Sequence, residues 1–210
     1  GAELPAFASL AALDAWNAGA EWTVSPRYPE DTAVFWANFD NDPAITGTAN
    51  GETVYCTSGD DLVYAGDGAD TVVGLEGDDT IYGGTTSADL RDVIRGNLGW
   101  DHIDGGYGND ELYGDGGNDV IEGGFGADSI YGGTEDDRLS GSALGDLLFG
   151  GDGNDYLNGG FGFDRMNGGT GADRCFHVGV LGHGSDWIQD YDAAEGDTLV
   201  FGIATATRAQ

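Results

Sequence analysis

Between residues 105 and 133 the sequence reads GGYGNDELYGDGGNDVIEGGFGADSIYGG, and Asp110, Asp119 and Asp128 recur every ninth residue, each two places after a glycine. Regularly spaced carboxylates can exchange protons as acid–base pairs, hold a hard cation, or solvate a surface. Proton exchange needs a pair of acids in unlike surroundings, which a long series of equivalent acids does not supply. Cation binding needs oxygens from several places at once, and that sets a demand on the backbone between the acids.

Glycine shows how the demand is met. Of the 40 glycines, 33 fall in residues 47–176, and this block aligns on its acids as fourteen consecutive units, thirteen of nine residues and a fifth of thirteen at 83–95. The sixth position holds Glu52, Asp61, Asp70, Asp79, Asp92, Asp101, Asp110, Asp119, Asp128, Asp137, Asp146, Asp155, Asp164 and Asp173. The eighth is Val, Ile or Leu except for Met166 and Cys175. Each unit therefore reads as a glycine-rich turn, which takes φ values that glycine alone adopts at low cost, followed by a three-residue strand with one inward apolar side chain. Turn carbonyls plus a carboxylate make an all-oxygen site. That set suits Ca²⁺ better than Zn²⁺, which wants Cys or His, or Mg²⁺, which wants a tighter octahedron.

The unit matches the known GGxGxDxUx signature, so the block resembles the RTX, or haemolysin-type, calcium-binding repeat. The resemblance implies an all-β fold, a right-handed parallel β-roll in which two units make one coil and unit n stacks on unit n+2. It also implies ions between turns n and n+2, held by both sixth-position carboxylates and by turn carbonyls, at most about twelve in the roll. The metal residues so expected are Asp61, Asp70, Asp79, Asp101, Asp110, Asp119, Asp128, Asp137, Asp146, Asp155, Asp164 and Asp173, with Asp79–Asp101, Asp101–Asp119, Asp110–Asp128 and Asp155–Asp173 the best pairs. Weak points are the long fifth unit, expected to displace the turn before Asp92, and Glu135 and Leu144, which replace the fourth-position glycine.

Composition fits a small positive partner. Seven Arg and no Lys face 38 acids, a formal charge of −31, which disfavours nucleic acid and anionic lipid. Such a surplus signals disorder, yet 40% of residues are hydrophobic and 11% aromatic, enough for a core once the charge is neutralised. Without metal the stacked acids repel, and the block is expected to be largely unfolded. No apolar run approaches the ~20 residues of a membrane span. The chain divides into an N-terminal cap at 1–46, the roll at 47–176 and a C-terminal cap at 177–210. SLAALDAWNAG predicts a helix with Ser9 as N-cap and Gly19 as its stop, and EWTV and TAVFWANF predict strands. This flank caps the roll or links it to an upstream domain. Residues 184–201 resemble the closing segment of serralysin-type proteases, and Asp186, Asp190, Asp192 and Asp197 there either add a site or solvate an edge.

Cys56 and Cys175 are more than six coils apart, about 30 Å at ~4.8 Å per coil, too far for a disulfide. Cys175 sits in the core position, whereas Cys56 opens a turn and is expected to be exposed. His102, His177 and His183 find no further zinc ligands, and HExxH, GxSxG and phosphate-loop motifs are absent, so no catalytic chemistry is expected of this chain. One asymmetry departs from plain repetition. Tyr113, Tyr131 and Phe149 at the ninth position and Tyr107, Phe125 and Phe161 at the third belong to odd units, while even units are polar there, which predicts an aromatic strip on one edge. Two functions follow. One is a calcium-binding module that folds outside the cell and supports secretion, by bacterial type I export, and stability of a larger protein, its catalytic domain elsewhere. The other is an adhesion or polysaccharide-binding module using the strip, whose partner is a saccharide, a fused domain or a second copy. The terminal IATATRAQ lacks the acidic-then-apolar ending of serralysin-type secretion signals, so the natural C-terminus is expected further on.

Overall fold

A computed structural model of the protein describes residues 33–36, 44–178 and 184–202, all within the unit Thr32–Gln210. The helix expected at 9–19, the strand at 21–24 and His183 lie outside the described residues. Each described unit places an apolar residue between two outward neighbours and ends at a glycine turn, so the chain reverses after every strand and stacks on itself. Eighteen strands among the described residues, β1 to β18 in chain order, result. The odd-numbered strands form one nine-stranded sheet and the even-numbered strands the other, all parallel, with neighbours two apart in sequence order. This is the β-roll, two strands to a coil. Among the described residues there is no helix, and none is long and apolar enough to cross a membrane.

The fourteen units supply β3 (Glu52–Tyr55) to β16 (Arg174–His177). Both flanks join the same sheets. β1 (Ala33–Trp36) pairs with β3, and β2 (Ile45–Thr46) pairs with β4 (Leu62–Tyr64). At the other end β17 (Trp187–Ile188) and β18 (Thr198–Phe201) pair with β15 (Arg165–Thr170) and β16. Register is position for position, as in Ile130 opposite Leu148 and Tyr131 opposite Phe149. Many strands run six residues, not three, because the first three turn positions also pair with the next coil, as in β11 (Ser129–Thr134).

The core is a double column of eighth-position side chains, from Val54 and Val63 to Met166 and Cys175, all at most 5% exposed. Cys56 corrects the sequence reading. It is buried with Ala65 at the first turn position, facing the core, and burial pushes its thiol pKa up, with Asp61, Asp79 and Asp101 adding to the effect. Cys175 is likewise buried, its pKa pushed up to about 12 by desolvation, and both cysteines are free. The long fifth unit also differs from expectation. Its extra residues, 85–88, are exposed, and β7 (Val93–Leu98) pairs with β5 (Thr71–Glu76) in register, so the insertion bulges outward without displacing Asp92.

The six aromatic residues expected on one edge fall into two groups. Tyr113, Tyr131 and Phe149 lie in the odd sheet on β9 (Glu111–Gly116), β11 and β13 (Leu147–Asp152), their rings stacked at 4.8 and 5.1 Å between centroids. Phe125 ends β10 (Val120–Phe125) in the even sheet, bridged to Tyr107 with rings 4.7 Å apart, and Phe161 bridges Ala143. The reason is chain order. The ninth position of an odd unit lies within an odd strand, whereas its third position belongs to the end of the preceding even strand and the turn that leaves it.

Candidate metal centre

The sixth-position acids form two ladders, one along each turn edge. In the odd series the backbone N–H of Asp92 donates to Oδ1 of Asp110 (2.9 Å), Asp110 to Asp128 (2.8 Å) and Asp128 to Asp146 (2.9 Å). In the even series Asp79 donates to Asp101, Asp101 to Asp119, Asp119 to Asp137, Asp137 to Asp155 and Asp155 to Asp173, all at 2.8 to 2.9 Å. The carbonyl of each such Asp accepts from the seventh-position N–H of the next coil, as Ser129 donates to Asp110 at 2.8 Å. Every paired acid is thus held by the backbone of its own sheet edge.

One oxygen of each carboxylate is committed in this way and the other is not. The Oδ2 atoms of Asp70, Asp79, Asp92, Asp101, Asp110, Asp119, Asp128, Asp137, Asp146, Asp155 and Asp173 are buried and have no hydrogen-bond partner. First-position glycines make the space for them, since a Cβ on Gly74, Gly96, Gly114 or Gly132 would clash with Oδ2 of Asp79, Asp101, Asp119 or Asp137. Burial, reinforced by neighbouring carboxylates, raises the acid pKa of Asp79, Asp92, Asp110, Asp137 and Asp146 to about 8 and of Asp70 and Asp119 to about 7, despite the lowering effect of the N–H bonds. Asp128 and Asp155 are raised by burial to about 6. A carboxylate oxygen removed from water without a partner is costly. A row of them is stable at neutral pH only beside positive charge, and no Lys exists to supply it.

A model of the RTX calcium-binding nonapeptide repeat (4 copies) matches residues 46–85, 91–112, 104–139, 113–148 and 140–175. The chain belongs to this RTX family. No curated protein is matched by it. The residues present fit the RTX ion, because the unpartnered groups, Asn158 Oδ1 apart, are hard carboxylate oxygens, and turn carbonyls approach the same glycines as they do. Among the described residues no three of His, Cys, Asp or Glu converge on one point. The four pairs singled out in the sequence are consecutive rungs of these ladders.

The ladders reach beyond the expected ends. Asp61 is half-buried, and its Oδ2 accepts from the N–H and Oγ1 of Thr57, each at 2.8 Å. Glu52 is buried and accepts from the N–H and hydroxyl of Thr48. In the closing segment Asp186 and Asp197 accept from the N–H groups of Asp164 (3.4 Å) and Asp173 (3.0 Å), which makes them the last rungs. Asp190 accepts from Gly168 and Gly169, while Asp192 is exposed in a local turn. His177 bonds Asp186 through Nδ1 at 2.6 Å. Glu135 and Leu144 keep the turn by adopting positive φ themselves, 73° and 88°. Asp89 is the residue the sequence reading missed. It is 8% exposed, its Oδ1 accepts from Gly68 (2.8 Å) and Leu90 (2.9 Å), and its Oδ2 has no partner. Alignment on Asp92 hid it behind the insertion, where it occupies a position that is aromatic in units seven and nine.

Proposed function

We infer that the protein is a calcium-folded β-roll that orders itself outside the cell and supports the export and stability of a larger secreted protein. The observation that carries this reading is the double row of buried, unpartnered Oδ2 atoms. Bound calcium supplies the positive charge that these oxygens lack. The residues of the chain do the rest. The N–H to Oδ1 bonds fix each carboxylate against the preceding coil, and the first-position glycines keep its second oxygen clear of side chains. One buried apolar side chain per nine residues cannot by itself offset the ordering of the turns. Calcium affinity is therefore folding free energy. Extracellular calcium, at the millimolar level that suits modules of this kind, favours the folded roll, and the low calcium of a cytosol favours a loose chain suited to export.

Saccharide binding by the aromatic residues has less support. A pyranose stacks on a ring face, whereas Tyr113, Tyr131 and Phe149 stack on one another and Arg95 covers the outer face of Tyr113 at 3.8 Å.

Titration of calcium into chelator-stripped protein, followed by far-ultraviolet circular dichroism with magnesium as control, tests the proposal. A cooperative gain of β signal with calcium and none with magnesium is expected. A metal-free protein that is already fully folded and indifferent to calcium would refute it.

A further inference from the structure

The two turn edges of the roll differ in charge. The even turns carry Asp60, Glu76, Asp78, Asp115, Glu135, Asp136 and Asp152 outside the ladder. The odd turns of units seven to thirteen carry no acid besides the buried rungs Asp110, Asp128, Asp146 and Asp164. In their place stand Tyr107, Phe125 (57% exposed), Leu144 (63%), Phe161 (59%) and Phe163 (74%). In a chain of charge −31 such a stretch is an exception. Contiguous exposed apolar surface of this kind marks an interaction site.

Leu144 adds an independent sign. It occupies a turn position where the repeat uses glycine, at φ 88°, a left-handed conformation unfavourable for a residue with a Cβ. Its side chain is exposed, so core packing does not offset the strain. Beside it lies a shallow cavity of about 360 Å³ lined by Leu90, Arg91, Tyr107, Phe125, Leu144 and the buried Asp89, with Arg91 paired to Glu111. The knob Phe163 lies on the same edge, in the coil next to Leu144, whose N–H donates to the carbonyl of Phe161.

We propose that the odd-turn edge is the interface through which two copies of this chain pair about a two-fold axis, Phe163 of each entering the cavity beside Leu144 of the other. A two-fold contact brings the same patch together twice, so a knob and a hole offset along one edge satisfy each other. Charge selects the occupant. A basic partner is drawn to the acidic even edge, whereas a partner as acidic as the chain itself can approach only where carboxylates are absent. The strip spans five alternate turns, about 20 Å at the strand spacing, so the pairing is weak and concentration-dependent.

Sedimentation velocity of the full chain in saturating calcium, over about a hundredfold range of concentration, tests this alongside circular dichroism of the same samples. A reversible monomer–dimer equilibrium is expected, weakened about tenfold or more by Leu144→Gly and by Phe163→Ser. Leu144→Gly restores the repeat's own residue, so its calcium-induced β signal stays equal to or better than that of the parent, and loss of dimer cannot be laid to misfolding. A monomer at every concentration, or variants that dimerise like the parent, would overturn the proposal. A chain that dimerises through this edge but folds without calcium would refute the calcium reading and leave this one standing.

Discussion

The acids of the ladder hold protons more tightly when folded than when unfolded, and this fixes how the metal-free protein responds to pH. For Asp79, Asp92, Asp110, Asp137 and Asp146 the folded pKa of about 8 stands against an ordinary value of 3.8. Their contribution to metal-free stability is complete below about pH 4 and is lost as pH rises toward 8. Chelated protein is thus expected to show more β signal near pH 5 than at pH 8. With calcium the order reverses, since proton and cation compete for the same oxygens, and the calcium midpoint falls as pH rises. Circular dichroism at several pH values, with and without chelator, checks both trends. A pH-indifferent chelated protein would mean that the unpartnered oxygens are not what destabilises it. The period of these acids was plain in the sequence, but their split into one bonded and one unpartnered oxygen was not. That depends on the direction of each carboxylate, which spacing does not encode. Asp89 escaped because it stands at a third position, behind four inserted residues, and not at the sixth where the repeat keeps its acid.

At the scale of strand and turn, the roll is sensitive to glycine in some positions and indifferent in others. A Cβ on Gly96 would run into Oδ2 of Asp101, whereas on Gly116 it would meet the flexible end of Leu98 at 3.2 Å. Gly96→Ala is expected to cost about 2 kcal/mol or more and to raise the calcium midpoint, while Gly116→Ala changes stability by well under 1 kcal/mol. Urea denaturation in saturating calcium separates the two, and equal losses would show that the carboxylate pocket is not the constraint. The eighth-position core was fully readable, since one apolar residue per unit admits one inward direction. The aromatic residues were not. Position numbers alone do not reveal that positions three and nine of one unit belong to different sheets. The described arginines sit largely on aromatic rings, Arg95 over Tyr113 and Arg138 over Tyr156 at 4.8 Å, so the few cations are spent along the sheet faces rather than on the ladder.

Over the whole roll each coil touches only its neighbours, so stability passes along it step by step. Asp119→Asn, in the middle of the even ladder, is expected to raise the calcium midpoint for most of the β signal or split the transition in two. Asp61→Asn, at the ladder's start, leaves most of the transition in place. Calcium titrations of the two variants compare them directly, and identical shifts would argue against stepwise coupling. The family was legible from the repeat, but the coil that each flank adds to the seven of the fourteen units was not. The reach of the ladder into Asp186 and Asp197 was not, because the spacing there lengthens to 22 and 24 residues. The N–H to Oδ1 bonds all point the same way, from each coil to the one that follows. The two ladders therefore have a head that lacks donors and a tail that lacks acceptors. At the head Thr48 and Thr57 donate to Glu52 and Asp61, much as a capping residue completes a helix. A roll shortened to begin at a later unit would inherit an uncapped carboxylate, so its length can be changed freely only if a hydroxyl residue is moved along with its new first turn.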